Sequence, residues 1–193
     1  MLSYKESLKI LKETNALIDG HFILSSGLHS PSYVQCAQLL SKPSEASKIN
    51  NSLAEKIKIT FKDFNLILSP AMGGIIIGFD IGRILGVETI FSERVNGIFK
   101  LRRDFNIKKN SKVLIIEDVI TTGKSSLECS QLVKEAGAKI VGYACIIDRS
   151  NGLSTIKDKI VSQIELEIPT YTKDNIPESL SLIKAVKPGS RNF

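Results

Sequence analysis

The sequence predicts an α/β fold in which helices flank a central, mostly parallel, twisted sheet. The clearest evidence is the segment 113–133, where four apolar residues precede two carboxylates, a small hydroxylic loop and an amphipathic stretch. Such a β-branched apolar run is typical of a buried strand, and the stretch that follows has helical spacing. Further short apolar runs at 65–69, 88–91 and 138–147 alternate with longer segments. Together they indicate one sheet with helical connections.

Local patterns define the elements before this segment. Apolar residues at helical spacing predict a first helix over 4–18. A short apolar run after Gly20, a small-residue turn and Tyr33-Val34 predict a hairpin. Pro43 begins a second predicted helix that reaches about residue 60, and a mostly apolar helix is predicted over 75–85.

After this segment, a strand over 138–147 ends at Asp148-Arg149. A late strand is predicted over 160–168 and a final helix over 174–187, followed by a loose tail over 188–191. The sequence contains no internal repeat or interdomain linker. We therefore expect a single domain over 1–193.

Composition argues against several classes of protein. A chain of 193 residues can bury a substantial core, and none of its apolar runs approaches the roughly 20 residues that cross a membrane. The cysteines, Cys36, Cys129 and Cys145, lack metal-ligand spacing and suit a reducing compartment. Residues 1–13 do not resemble a signal peptide, so we expect a cytoplasmic protein without a membrane partner. His21 and His29 are interpreted as surface or loop residues.

The net charge of +6 raises the question of nucleic acid binding. Basic residues concentrate between 100 and 112. Those over 108–112 are interpreted as a solvated surface run, whereas Lys100, Arg102 and Arg103 are interpreted as ligands of a polyanionic small molecule. We therefore expect no nucleic acid partner.

Residues 117–125, EDVITTGKS, carry the main functional prediction. A small-residue loop before a helix can bind a phosphate through free N–H groups, and Gly123 allows close backbone approach. The motif is not the P-loop of nucleoside-triphosphate-binding proteins, because that motif needs a glycine where this chain has Asp118. Ionised carboxylates only accept hydrogen bonds, so Glu117 and Asp118 suit the vicinal hydroxyls of a ribose.

This segment resembles the signature of the type I phosphoribosyltransferases, which bind 5-phosphoribosyl diphosphate (PRPP). The resemblance implies the fold of that family, with a PRPP-binding core over about 60–150 and a small N-terminal hood. The hood comprises about 1–40 and a C-terminal segment. The resemblance also implies that Glu117 and Asp118 bind the ribose hydroxyls, that Asp118 is catalytic, and that the following loop binds the 5′-phosphate. The remaining PRPP ligands of the motif are Val119, Ile120, Thr121, Thr122, Gly123, Lys124 and Ser125.

Residues 22–33 resemble the hood of the orotate branch of this family, in which an F-x-L-x-S-G-x-x-S-x-x-Y pattern closes over the base. The resemblance implies that orotate is bound by Ser25, Ser26, Tyr33 and Thr121. Many members of the branch have a lysine where this chain has Ser25.

A proline and two glycines follow the predicted strand 65–69 and allow close backbone approach to a ligand. In the family this position holds the diphosphate loop. The resemblance therefore implies that the backbone N–H groups of Met72, Gly73 and Gly74 bind the leaving group. Many relatives have a lysine where this chain has Gly73.

Residues 92–104 form a polar stretch that resembles the mobile catalytic loop of the orotate branch. The resemblance implies a homodimer in which this loop covers the active site of the neighbouring subunit and excludes water. Arg94 is then a PRPP ligand. Lys100, Arg102 and Arg103 are catalytic residues, with Lys100 placed against the diphosphate.

Arg149 lies at the carboxyl end of a predicted strand, where parallel α/β sheets bind ligands. Its planar guanidinium can bind a carboxylate through two parallel hydrogen bonds. In the orotate branch an arginine at this place binds the carboxylate of orotate, so Arg149 favours orotate over other bases. A surface ion pair with Asp148 is the alternative.

The resemblance implies transfer of a phosphoribosyl group from PRPP to orotate, giving orotidine 5′-monophosphate and diphosphate in pyrimidine nucleotide synthesis. Mg²⁺ is the expected cofactor, held mainly through PRPP and water without direct protein ligands. Two alternatives stay open. One is a phosphoribosyltransferase for another base, such as adenine, hypoxanthine or uracil. The other is a non-catalytic, PRPP-sensing regulator that binds nucleic acid.

Overall fold

The computed structural model describes residues 1–188 of the chain. Its strands are β1 (Leu17–Ile23), β2 (His29–Val34), β3 (Leu66–Pro70), β4 (Glu88–Val95), β5 (Ile98–Leu101), β6 (Lys112–Ile120), β7 (Lys139–Asp148) and β8 (Ile160–Glu165). Its helices are α1 (Tyr4–Glu13), α2 (Cys36–Leu40), α3 (Pro43–Thr60), α4 (Gly73–Leu85), α5 (Lys124–Glu135) and α6 (Glu178–Ser181). Within residues 1–188, none of the helices is long and apolar enough to cross a membrane.

One sheet contains six of these strands, in the order β5-β4-β3-β6-β7-β8, and β1 and β2 form a separate antiparallel hairpin. Every neighbouring pair in the large sheet is parallel except β4 and β5. The predicted α/β class with a mostly parallel sheet is therefore confirmed. Because parallel strands share a direction, the segments that follow β3, β6 and β7 all leave the sheet at the same edge.

Strand β6 is buried on both faces, which explains its continuous apolar run. Leu114 and Ile116 belong to the same apolar cluster as residues of α3 and α4. Val113 and Ile115 point the other way and cluster with residues of α5. Helices therefore cover both faces of the sheet at the strand that carries the motif.

The structure extends β6 beyond its predicted end. The strand continues to Ile120, and Glu117 is in register with Cys145 of β7. The acidic pair therefore lies among the last residues of a paired strand rather than in a free loop. This pairing fixes the backbone of both carboxylates.

The prediction of a helix over 4–18 is wrong at its C-terminal end. Helix α1 ends at Glu13, and Asn15 has a φ of 59°, which no α-helix accommodates. Residues from Leu17 onward form β1 instead. The short helix α2 was missed, since five residues carry too little periodicity to be recognised.

The predicted final helix over 174–187 is also wrong. A 3-10 turn at Lys173–Asn175 is followed by the four-residue helix α6. Pro177 separates them, because proline cannot continue a helix from the preceding residues. The late strand ends at Glu165 rather than at 168. The predicted tail lies outside the described residues apart from its first residue.

The C-terminal segment instead completes the hairpin β1–β2. Tyr171 bridges to His29, and Val186 bridges to Phe22. His21 and His29 are buried, with 5% and 9% of their surface exposed, so their assignment to the surface is wrong. The Nδ1 of His21 donates to the carbonyl oxygen of Ile183 (2.9 Å), and its Nε2 lies 2.6 Å from Nδ1 of His29. The two histidines thus join the hairpin to the C-terminal segment.

Candidate active site

The loop between β6 and α5 encloses a small polar cavity of about 150 Å³. Its lining includes Glu117, Val119, Thr121, Thr122, Gly123, Lys124 and Ser125. The first N–H groups of a helix have no carbonyl partner within that helix, and together with the helix dipole they attract an anion. Helix α5 begins at this cavity, so the cavity has the properties of a phosphate site.

Gly123 is required at the end of this loop for two reasons. Its φ of 81° lies in the left-handed region that favours glycine. A Cβ at this position would also lie 2.7 Å from Oγ of Ser154 and 2.8 Å from Cγ1 of Ile156. The tight turn therefore brings the backbone against the segment after β7, which closes one side of the loop.

Glu117 is a carboxyl group of the site with a strongly raised pKa. Burial raises the pKa of Glu117 to about 7, and the neighbouring charge of Asp118 adds to this effect. Hydrogen bonds from the Ser126 and Ser125 hydroxyls and the charge of Arg94 oppose it. The Ser126 hydroxyl donates directly to Oε2 of Glu117. Near neutral pH the group therefore changes between an acceptor-only carboxylate and a carboxylic acid.

Asp118 packs against the segment that follows β3. Burial raises the pKa of Asp118, while the backbone N–H groups of Val119 and of Asp118 itself lower it. A Cβ at Gly73 would lie 2.3 Å from Oδ2 of Asp118. The carboxylate of Asp118 therefore occupies the space that a side chain at position 73 would need. Any side chain larger than that of glycine would displace the carboxylate.

The structure thus brings the predicted diphosphate loop next to the acidic pair. Met72 is exposed and caps α4, which begins at Gly73. The first N–H groups of α4 are directed toward the same edge of the sheet as those of α5. Two helix N-termini with a carboxylate between them can accommodate a sugar that carries a phosphate at each end.

Residues 92–104, predicted as a loop, are partly a hairpin. Strand β4 continues to Val95 and pairs with β5 around the turn Asn96-Gly97, so the polar stretch has a regular backbone up to Leu101. Polar residues at alternate positions fit the two faces of a hairpin, which explains why the segment did not show an apolar strand pattern. Lys100 is exposed on β5.

Three arginines of this segment are engaged within their own subunit. Arg94 forms an ion pair with Glu128 of α5 (2.6 Å), donates to the carbonyl of Gly97 (2.6 Å), and stacks on Phe99. Glu93 accepts two hydrogen bonds from the guanidinium of Arg103, at 3.2 and 2.7 Å. The same carboxylate lies 3.7 Å from Nη1 of Arg102. The roles predicted for these arginines stay predictions.

Arg149 follows β7 at the same edge of the sheet. Its backbone N–H donates to the carbonyl of Ile120 (2.8 Å) and so ties it to the end of β6. Within residues 1–188 its buried Nε has no hydrogen-bond partner. Burial lowers the pKa of Arg149, and the nearby Tyr33 of the hood opposes this shift. Asp148 accepts a hydrogen bond from the N–H of Ser150 (2.8 Å).

The predicted orotate ligands of the hood lie on β2 and in the turn before it. Tyr33 packs on Phe22, with ring centroids 5.6 Å apart. Ser25 and Ser26 are exposed in the turn between β1 and β2, where the Ser26 hydroxyl accepts from the N–H of Leu28 (3.4 Å). The contribution of the two serines to a base site stays a prediction.

The sequence did not reveal the partners that hold the charged groups. Glu93, Glu128 and Ser126 carry no motif, and each meets its partner only after the chain has folded. Ser126 directly follows the motif and lies in the first turn of the predicted helix. This position was the only sequence feature that could have indicated a contact with Glu117.

Comparison with known proteins identifies the family. Residues 35–180 match the model of the phosphoribosyl transferase domain. The chain belongs to the phosphoribosyltransferase family.

A curated phosphoribosyltransferase, the orotate phosphoribosyltransferase of Rhizorhabdus wittichii, is 44% identical over 188 residues, which cover 97% of this chain and 96% of the relative. The solved orotate phosphoribosyltransferase from Aeropyrum pernix has a TM-score of 0.72 at 23% identity and covers 82% of this chain and 93% of that chain. The solved adenine phosphoribosyltransferase from Thermoanaerobacter pseudethanolicus has a TM-score of 0.60 at 17% identity, and the match covers 70% of this chain and 88% of that chain.

The likeness to the two solved phosphoribosyltransferases shows the fold alone. The predicted family, its fold and its class of transferase are confirmed by the domain match and the curated relative. The predicted likeness to orotate phosphoribosyltransferases is confirmed as well.

Proposed function

We propose that the protein transfers the 5-phosphoribosyl group of PRPP to orotate, forming orotidine 5′-monophosphate and diphosphate in pyrimidine nucleotide synthesis. The observation that carries the choice of base is Arg149. Its partly buried guanidinium stands at the ligand-binding edge of the sheet, near Tyr33, with Nε unpartnered in residues 1–188. A buried donor without a partner is costly, and a planar carboxylate would satisfy it. The curated relative supports this choice.

PRPP is proposed to lie between the two helix N-termini. The cavity at the start of α5 takes the 5′-phosphate, and the backbone of Met72, Gly73 and Gly74 takes the diphosphate. Glu117 and Asp118 accept hydrogen bonds from the ribose hydroxyls. This arrangement is supported by the contact of Asp118 with Gly73 and by the position of Glu117 in the cavity lining.

The reaction breaks the bond between ribose C1 and a diphosphate oxygen and forms a bond between C1 and a nitrogen of orotate, and that nitrogen gives up its proton, which the departing diphosphate can accept. The electron pair of the broken bond leaves with diphosphate, and positive charge develops on the ribose in the transition state. Positioning and electrostatics therefore matter more than a protein nucleophile. Asp118 would stabilise the ribosyl cation from the sugar side. Lys100, Arg102 and Arg103 would stabilise the charge that grows on diphosphate.

The residues present fit a magnesium ion held mainly by substrate. Glu117 and Asp118 place two carboxylates side by side at the end of β6, beside the cavity. Mg²⁺ keeps several of its waters and binds substrate phosphates, so the two carboxylates would accept hydrogen bonds from Mg²⁺-bound water rather than ligate the ion. When bound, the ion would neutralise diphosphate charge and orient the ribose hydroxyls.

We also propose a homodimer with one domain per subunit, in which residues 92–104 cover the neighbouring active site. Helix α4 exposes an apolar face, with Met72, Ile76 and Phe79 exposed by 82%, 53% and 65%. Residues four and seven positions apart share a helix face, and a contiguous apolar patch favours association. A second subunit packed on this face would bring its hairpin near the site. The buried free thiols are consistent with a cytoplasmic location.

The function is tested by measuring the consumption of PRPP in the presence of Mg²⁺, in parallel reactions with orotate, uracil, adenine and hypoxanthine. We expect turnover with orotate alone, and a rise of at least about tenfold in KM for orotate in Arg149→Lys, since lysine cannot make two parallel hydrogen bonds. Lys5→Arg, at an exposed position on α1 away from this edge of the sheet, is the control. Turnover with another base would refute the assignment of orotate. PRPP binding without turnover of any base would favour the regulator.

A further inference from the structure

Ser126 is a buried polar residue that the proposed chemistry does not use. It is the third residue of α5 and is fully buried, with 0% of its surface exposed. Its hydroxyl donates to Oε2 of Glu117. The hydroxyl thus crosses from the helix to the end of β6, where the ribose is proposed to bind.

Among residues 1–188, Glu117 has few other groups that could fix its orientation. The charged or titratable groups facing it are Asp118 on β6, Arg94 on β4, Cys129 on α5 and Cys145 on β7. Asp118 repels it, and both thiols are buried and protonated at neutral pH. Arg94 is directly paired with Glu128 and Gly97. The hydroxyls of Ser125 and Ser126 remain as its donors, and of these Ser125 also lines the cavity.

We propose that Ser126 is a positioning residue for PRPP binding. By holding one oxygen of Glu117, it turns the other oxygen toward the cavity and the ribose hydroxyls. This inference rests on the proposed role of Glu117 as a ribose ligand. The hydroxyl also favours the ionised carboxylate, which is the form that accepts hydrogen bonds from the sugar.

Ser130, one turn further along α5, provides a matched control. It is also buried, with 2% exposed, and its hydroxyl donates to the carbonyl of Ser126 (2.9 Å). That hydroxyl lies 2.5 Å from the Tyr143 hydroxyl and is not hydrogen-bonded to a carboxylate. Ser130→Ala therefore removes a buried hydroxyl of the same helix without releasing Glu117.

The test is PRPP affinity in the presence of Mg²⁺, measured by calorimetry without orotate between pH 6 and 8.5. We expect Ser126→Ala to weaken PRPP binding about tenfold at pH 7, the size of a lost hydrogen bond to a charged group. The pH at which affinity reaches half its alkaline value should rise, because the hydroxyl no longer favours the carboxylate. Ser130→Ala should change neither quantity. In the Glu117→Ala background, which has no acceptor for the Ser126 hydroxyl to hold, Ser126→Ala should have no further effect.

Unchanged affinity in a folded Ser126→Ala variant, or an equal loss in Ser130→Ala, would overturn the inference. Ser126→Cys, which keeps the volume and weakens the donor, gives the same test if the alanine variant does not fold. A wild-type protein that binds PRPP without converting orotate would refute only the proposed function. A wild-type protein that binds no PRPP would refute both.

Discussion

Replacing Glu117 with glutamine should stabilise the fold at neutral and alkaline pH while it weakens PRPP binding. Burial raises the pKa of Glu117 from 4.5 to about 7, more than its hydrogen bonds from serine hydroxyls lower it. Between these two values the folded state keeps a proton that the unfolded state has lost. Wild-type stability therefore falls as the pH rises from 4.5 to 7.

The size of the effect follows from the difference between the two pKa values. At about 1.4 kcal/mol for each pH unit, the ionised carboxylate costs the folded state about 3 kcal/mol above pH 7. Below pH 4.5 the carboxyl is protonated in both states, so the cost disappears. Glutamine has nearly the same shape, carries no charge, and its side-chain oxygen can still accept from Ser126.

The assay is urea unfolding of wild type and Glu117→Gln at pH 4, 6 and 8. The variant should gain up to about 3 kcal/mol at pH 8, an intermediate amount at pH 6 and almost nothing at pH 4. Glu135→Gln, at an exposed position on α5, controls for the loss of one negative charge. A gain that does not depend on pH, or a less stable variant at pH 8, would refute the reasoning.

Three further predictions concern other parts of the site. Gly73→Ala should raise KM for PRPP at least about tenfold, because its Cβ would lie 2.3 Å from Oδ2 of Asp118. Gly86→Ala, at the opposite end of α4, has open space around its Cβ but a φ of 68°, so it should lower stability slightly and leave KM unchanged. Glu93→Gln should increase the rate of tryptic cleavage after Arg103 severalfold, because that guanidinium loses its charged acceptor; equal rates would show that the ion pair does not hold the segment. Phe79→Glu should shift the protein from dimer to monomer in light scattering, because it places a charge in the apolar face of α4. Glu13→Lys, at an exposed position on α1, should leave the dimer unchanged.

The parts of the site that could be predicted from the sequence are contiguous in the chain. The segment from Val113 to Ser125 contains a strand, a turn and a helix start, and each depends on neighbours within a few residues. Local patterning also placed α3 at 43–60. Such features are set by β-branching, glycine and helical spacing, which are visible in a single sequence.

The remaining parts depend on contacts between distant residues. Arg94 and Glu128 are 34 positions apart, and nothing in either neighbourhood indicates their ion pair. Residues 174–187 have apolar residues suited to a helix, yet Val186 is held in an extended bridge to Phe22. His21 and His29 looked like loop residues because their burial comes from the C-terminal segment. Tertiary pairing overrode local preference in each case.

The residues that contact one another in the hood are much farther apart in the sequence than those of the β6–α5 unit. Phe22 and Val186 come from segments separated by almost the whole fold, whereas the PRPP motif closes within one strand–loop–helix unit. During synthesis, residues 113–135, which carry the proposed phosphate site, leave the ribosome before the residues that complete the hood. Contacts of such long range form slowly once the whole chain is available. In the proposed function, base recognition therefore depends on a C-terminal segment that is synthesised after the sugar-phosphate site.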